Sequence, residues 1–405
     1  MRDTKVAILG MGYVGLPLAI AAQESSLNVI GIDRNEERVA QLLAGESYIE
    51  DVSNAELASA LTKGFLPTSD ASLMSECEVI VICVPTPVDE NNQPVLGSIV
   101  DASEMIANFA QSGALIINES TSFPGTVSSF IPSVISRIRP ELDFDFAVAP
   151  ERVDPGNHNW NYRNTPRLVS GVSERAKERA RGFYSAFCNN VVTVSTPEVA
   201  ELSKLLENTF RQVNIALVNQ LVPFAKELNV DIFEVIEAAA TKPYGFMPFY
   251  PGIGVGGHCI PVDPMYLYWS ASQKNLDMSL IDSAQKINDA MPEYVGRLVE
   301  RMKLSVQSSI LVVGLAYKPG VSDLRESPSL ELIRNLNAQF TKINWWDEVV
   351  KSWNGESPSD LKREFDLIVL THKVKDKEVL NAIFKAKHVI DCTGQFRGQA
   401  NVQIF

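Results

Sequence analysis

The feature that most constrains this chain is GMGYVG at residues 10–15, which follows a short apolar run (KVAILG, 5–10) and opens helical spacing over 16–23. Gly10 permits a tight turn, Gly12 lets backbone approach a pyrophosphate, and Gly15 lets helix and strand pack closely. The free N–H groups of the helix start then face the phosphates. Asp33 ends the next strand-like run, where a carboxylate reaches ribose hydroxyls. Tyr13 and Val14 lie in the same turn, and Arg34 stands beside the acid. The pattern predicts a dinucleotide site. Asp33 favours NAD, whereas Arg34 is placed to meet a 2′-phosphate.

The rest of the first half keeps the same rhythm. Runs at 28–33, 79–84, 115–119 and 146–149 are short and apolar throughout, the signature of a parallel sheet covered on both faces. Residues 198–240 differ: they hold no Gly and one Pro, with apolar positions at helical spacing (Leu202, Leu205, Leu206, Thr209, Val213, Leu217). One or two long helices are expected there, Thr196 capping and Pro197 in the first turn. Residues 242–263 are rich in Pro and Gly, and a helical segment follows at about 281–302. Strand signals return at 309–314, 342–347, 366–371 and 388–391. The predicted fold is α/β: two Rossmann-like doubly wound sheets joined by a central helical domain with a long helix. Domains are expected at 1–195, 196–300 and 301–405. The second sheet has only Gly314 where a second glycine fingerprint would begin, so it is not expected to hold a dinucleotide in the same manner.

Composition narrows the partners. Lys plus Arg number 36 against 49 Asp plus Glu, a net charge of −13. That balance argues against duplex nucleic acid or an anionic membrane surface, and no apolar stretch is long enough to cross a bilayer. The five cysteines (Cys77, Cys83, Cys188, Cys259, Cys392) are odd in number, scattered, and form no CxxC pair. This fits a reduced, cytoplasmic protein. With four histidines (His158, His258, His372, His388) and no HExxH, no metal site is expected.

One cysteine stands apart. In GVGGHCIPVD (254–263), glycines strip the bulk around Cys259, His258 precedes it, and Asp263 follows. A ligand carbonyl could reach such a sulfur, and either neighbour suits proton transfer. Nucleophile and structural loop both stay open on this evidence. Lys204, Asn208 and Arg211 are spaced i, i+4, i+7 on one helix face, an array suited to an alkoxide and to phosphate oxygens, or else a solvated polar face. A nicotinamide cofactor, a nucleophilic cysteine and an oxyanion-stabilising lysine add up to alcohol and then aldehyde oxidation through a thioester.

With these motifs the chain resembles the UDP-glucose/GDP-mannose dehydrogenase family over nearly its whole length. The resemblance rests on GMGYVG (10–15), VPTP (84–87), STSFPGT (120–126), APERVDPG (149–156), ELSKLLENTFR (201–211), the 254–263 loop and GLAYKPGVSDLRESP (314–328). It implies an NAD-binding Rossmann domain, a long helix at the core of a homodimer, and a UDP-binding C-terminal domain. It also implies oxidation of the C6 alcohol of a UDP-sugar to a carboxylate, with two NAD reduced. By this resemblance Cys259 is the nucleophile, Lys204 the proton carrier and oxyanion partner, and Asn208 and Asp263 its supports. Glu151 and Thr121 position water and cofactor, and Thr86 and Arg325 contact the cofactor. Arg152, Val153, Lys204, Asn208, Arg211, Tyr250, Gly256, Tyr317 and Lys318 match positions that hold the nucleotide sugar. Arg152-Val153 after the Pro-Glu pair, His258 before the cysteine and Val262 before Asp263 resemble the UDP-N-acetylhexosamine branch. UDP-N-acetylglucosamine is therefore the expected substrate, with the N-acetylmannosamine, N-acetylgalactosamine and glucose analogues as rivals.

Two other readings share parts of this pattern. A two-electron β-hydroxyacid-type dehydrogenase needs neither Cys259 nor the C-terminal sheet. A non-enzymatic nucleotide sensor would bind without turnover.

Overall fold

Residues 4–154, 157 and 159–405 are described in the computed structural model of the chain. They form two compact units: 1–207 with 265–274, and 208–264 with 275–405.

The first unit is built on an eight-stranded sheet. Its strands are β1 (Lys5–Leu9), β2 (Asn28–Ile32), β3 (Leu66–Thr68), β4 (Val79–Ile82), β5 (Leu115–Asn118), β6 (Asp145–Val148), β7 (Arg167–Gly171) and β8 (Val191–Thr193), in the order β3-β2-β1-β4-β5-β6-β7-β8. All pairs are parallel except β6 with β7. The four residues of β4 and of β5 are all buried, as expected of strands with helices on both faces. Apolar clusters lie on the two sides, one around Ile8, Leu16 and Phe183, the other around Leu9, Ile80 and Ile106. The strand order reverses between β1 and β4, and the crevice beyond their carboxyl ends is where such sheets bind ligands.

The second unit carries a five-stranded, all-parallel sheet: β9 (Ser309–Val313), β10 (Lys342–Trp346), β11 (Leu367–Leu370), β12 (His388–Asp391) and β13 (Val402–Ile404), in the order β10-β9-β11-β12-β13. Its reversal lies between β9 and β11. The α/β class and the paired parallel sheets are as the sequence predicts. The strands β3, β7, β8 and β13, each three to five residues long, escaped the sequence reading.

Residues 198–240 form two helices, Pro197–Glu227 and Ile232–Ala240, the second capped by Asp231, whose side chain accepts the Phe233 N–H at 2.9 Å. The region near 281–302 is likewise two helices, Ser279–Asp289 and Met291–Arg301, with Pro292 in the second one's first turn, where its missing N–H costs nothing. The long helix is apolar on two faces: Leu205, Val218 and Val222 are buried, and a second apolar row faces outward. Lys204 is buried, whereas Leu202, Leu206, Phe210, Leu217, Leu221 and Phe224 are 39–61% exposed along one stripe. No helix among the described residues is long and apolar enough to cross a membrane.

Candidate active site

The first unit's crevice is shaped by its glycines. Gly10 donates its N–H to Ile32 O at 2.7 Å and has φ +93°. A Cβ there would lie 2.5 Å from Cys83 O, the residue after β4, and a Cβ on Gly15 would lie 1.9 Å from Gly10 O. These two glycines close the turn against β4. Gly12 is different, because a Cβ on it would meet nothing within 4 Å. Its backbone faces open space at the start of helix Gly15–Glu24, whose N-terminus has no side-chain cap. That is an anion site of the helix-terminus kind. Buried Asp33 accepts the N–H groups of Met11 and Asn35, both at 2.9 Å, with Arg38 at 3.9 Å. Arg34 projects outward and pairs with Asp101 at 3.4 Å. Tyr13 and Val14 pack partly on the core beside the turn.

Thr86, beyond β4, and Thr121, beyond β5, are both half-buried. The loop carrying Thr121 is anchored by Glu201 of the long helix, whose carboxyl accepts the N–H of Gly125 at 2.7 Å and of Val127 at 3.1 Å. Burial pushes the Glu201 carboxyl up to about 8, against the pull of those two N–H groups.

Glu151, just beyond β6, is the hub of a buried ionic cluster. Its Oε1 accepts the N–H groups of Arg152 (2.6 Å) and Val153, and its Oε2 accepts Nη1 and Nη2 of Arg167 at 3.1 and 3.2 Å. Burial opposes its charge, but Arg167, the Val153 N–H and Lys204 together hold its pKa below the usual glutamate value. The Arg152 guanidinium is bidentate on Glu207, at 3.0 and 2.7 Å, and also donates to Pro166 O. Positions 155–156, which end the APERVDPG motif, lie outside the described residues.

The second unit holds the cysteine loop. Gly254, Gly256 and Gly257 cannot take a side chain: a Cβ would lie 2.8 Å from Asn288 O, 2.6 Å from Glu326 O and 2.7 Å from the Tyr317 ring, respectively. Gly256 and Gly257 therefore let this loop lie flush on the loop that follows β9, and Gly254 lets it meet the end of the helix Ser279–Asp289. Half-buried Cys259 accepts the Asp263 N–H on its carbonyl at 2.8 Å, and Gly257 donates to Arg325 O at 3.1 Å. The other four cysteines are buried. Asp263, fully buried, accepts Asn208 Nδ2 at 2.6 Å. His258 Nδ1 lies 3.3 Å from Arg325 Nη2. The Arg325 fork closes on Asp323 at 2.6–3.0 Å, and this pairing outweighs burial to hold the Asp323 carboxyl low. Tyr250 stacks on Phe233 at 6.3 Å, with Lys373 Nζ 6.0 Å from its ring centre. Lys318 is half-buried in the loop after β9, and Arg211 is exposed.

The structure thus gathers Gly10, Gly12, Gly15 and Asp33 at one crevice, and Arg152 and Val153 around Glu151, which Arg167 holds from its other side. In the second unit it gathers Asn208 with Asp263, and Gly256, Tyr317 and Arg325 along one loop contact. Glu119, Arg167, Glu207, Asp323 and Lys373 went unread in the sequence. Glu119 ends an apolar strand run and Asp323 shares the SDLRES motif, so each carried a signal. Arg167 opens β7, a strand that was not predicted.

Comparison with known proteins matches three domains of one family in order. The NAD binding domain of the UDP-glucose/GDP-mannose dehydrogenase family matches residues 4–188, the central domain 198–290 and the UDP binding domain 311–397. The chain belongs to the UDP-glucose/GDP-mannose dehydrogenase family. It is an NAD-dependent UDP-sugar 6-dehydrogenase. Among its relatives, UDP-N-acetyl-D-glucosamine 6-dehydrogenase of Pseudomonas aeruginosa is 34% identical over 87% of this chain and 84% of that protein. UDP-N-acetyl-D-mannosamine dehydrogenase of Pyrococcus horikoshii is 34% identical over 93% of this chain and 91% of that one. The solved UDP-D-ManNAc dehydrogenase from Pyrococcus horikoshii superposes with a TM-score of 0.88 at 32% identity, covering 98% of this chain and 97% of the other. In this family's terms, the first crevice has the fit NAD requires. Its open Gly12 backbone and uncapped helix start suit the pyrophosphate, and its buried acid suits the ribose.

Proposed function

We propose that the chain oxidises the C6 alcohol of UDP-N-acetylglucosamine to the uronate, a four-electron reaction passing through a thiohemiacetal and a thioester on Cys259. The observation that carries this reading is the cysteine loop: three glycines that admit no Cβ seat residues 254–257 closely on neighbouring backbone, and Cys259 beside them is half-buried where the other four cysteines are buried. A buried structural cysteine would need no such stripping.

NAD, when bound, accepts a hydride at each of two oxidations. The chain's own residues do the rest. Lys204 passes the alcohol proton on, giving one proton up before it takes the next, and as the ammonium it stabilises the alkoxide, its burial strengthening the interaction. Asp263, fixed by Asn208, orients that end of the site. Glu151, held ionised, presents the Arg152 and Val153 backbone to the sugar nucleotide, and Thr121 meets cofactor and water. Arg211, Tyr250, Gly256, Tyr317 and Lys318 hold the sugar nucleotide; Tyr13, Val14, Arg34, Thr86 and Arg325 border the cofactor. The acetamido sugar is favoured by Arg152-Val153, His258 and Val262, and by the acetamido-sugar names of the relatives.

The three-domain division at 1–195, 196–300 and 301–405, cytoplasmic residence and a homodimer belong to the same proposal. The exposed stripe from Leu202 to Phe224 supports pairing of two long helices, since it leaves six large apolar side chains on one face.

A coupled NADH assay across UDP-GlcNAc, UDP-ManNAc, UDP-GalNAc and UDP-glucose tests the substrate, with UDP-GlcNAc expected to give the highest kcat/KM. Cys259→Ser is expected to bind NAD normally yet form no uronate. Uronate at the wild-type rate from that variant would refute the thioester route.

A further inference from the structure

Arg167 lies outside every sequence motif of the two loops and the glycine turn, yet it holds the centre of the first unit's buried ionic cluster. It is 2% exposed, and Nη1 reaches Glu151 Oε2 at 3.1 Å, Glu119 Oε2 at 3.4 Å and Pro150 O at 3.3 Å. Its guanidinium carbon sits 4.2 Å from the Tyr162 ring centre. Glu119 is fully buried at the end of β5 and accepts the hydroxyls of Tyr162 and Tyr184. One cation is thus shared by two carboxylates. One of these, Glu151, spends its other oxygen on the backbone N–H groups of Arg152 and Val153.

We propose that Arg167 is a positioning residue for residues 151–153, and that Glu119 sets how much of the guanidinium Glu151 receives. With Glu119 neutral, the cluster is a balanced pair, Arg167 with Glu151. With Glu119 ionised, the one guanidinium faces two carboxylates in a water-poor site, Lys204 acts on Glu151 from outside this contact, and the hold of Arg167 on Glu151 weakens. The groups facing Glu119 are Arg167, Glu151, Tyr162, Tyr184, Cys83 and Cys188. Burial, the largest influence, pushes the Glu119 carboxyl up to about 7 against the pull of Arg167, so the shift between the two arrangements falls in the physiological range.

The inference rests on the proposed function only in taking the 151–153 turn as a contact for the sugar nucleotide; amide exchange tests it without that assumption. In the full chain, the Arg152 and Val153 amides should be protected at pH 6 and lose protection above pH 7. In Glu119→Gln the protection should stay level across that range. Arg167→Lys, which keeps the charge but loses the fork, should exchange about tenfold faster at these two amides and raise KM for the UDP-sugar about tenfold, with KM for NAD within about twofold. Wild-type exchange in Arg167→Lys, or equal rises in both KM values, would overturn the positioning role. A persisting pH step in Glu119→Gln would overturn the role of Glu119, and that arm decides the matter if Arg167→Lys fails to fold. Should no UDP-sugar be turned over while the exchange results hold, the substrate reading fails and this one stands.

Discussion

At the end of β1, Gly10 donates to Ile32 O at 2.7 Å and abuts Cys83; at the end of β9, Gly314 donates to Trp346 O at 2.9 Å and abuts Thr371 and His372. Both glycines have φ near +100°, and both sheets place an aspartate after the neighbouring strand, Asp33 and Asp347. The backbone problem is the same, yet the carboxylates are used differently. A carboxylate offers about four acceptor sites. Asp33 gives two of them to backbone, Met11 and Asn35. Asp347 gives all four, to the N–H groups of Leu315, Ala316, Val349 and Val350. Where the first turn has open Gly12, the second has buried Leu315 and Ala316. One crevice keeps acceptors and space for a dinucleotide, and the other has spent them on its own fold.

The sharpest way to break this contrast is Asp347→Ala. Removing one carboxylate orphans four N–H groups, three of them on buried residues, and should destabilise the chain by about 3 kcal/mol or more, read as a lower denaturant midpoint. Asp33→Ala should do the reverse: a smaller loss of stability, but NAD affinity lower by about 10- to 100-fold in calorimetric titration. Equal stability losses in the two variants would dissolve the distinction. Gly12→Ala sharpens it further. The added methyl has room in the free protein, so stability should move by less than about 1 kcal/mol, while NAD affinity falls about tenfold because the methyl occupies the approach to the pyrophosphate.

The first crevice was legible because its chemistry is local: glycines, strand, helix and acid all lie between Lys5 and Asp33, at spacings set by one turn. The second was half-legible, since Gly314 was visible, whereas the use of Asp347 depends on a register between β9 and β10 that no local pattern encodes. Arg167 was illegible for the same reason, because its partners come from the ends of β5 and β6. The long helix shows a different limit. Its periodicity was plain, but a polar face reads as solvated, and here Lys204 is the buried residue while Leu206 is 61% exposed. Period alone fixes which residues share a face, and what that face meets is decided by the rest of the chain.

Among the described residues one crevice has the glycine turn and acid that suit a dinucleotide, so the proposed four-electron oxidation calls for two NAD molecules to use it in turn while the proposed thioester stays on Cys259. NADH formed per UDP-sugar consumed tests this directly, with the product identified by mass. The account predicts two NADH per sugar and a uronate with no free aldehyde. One NADH per sugar, with an aldehyde or ketone as the final product, would contradict it.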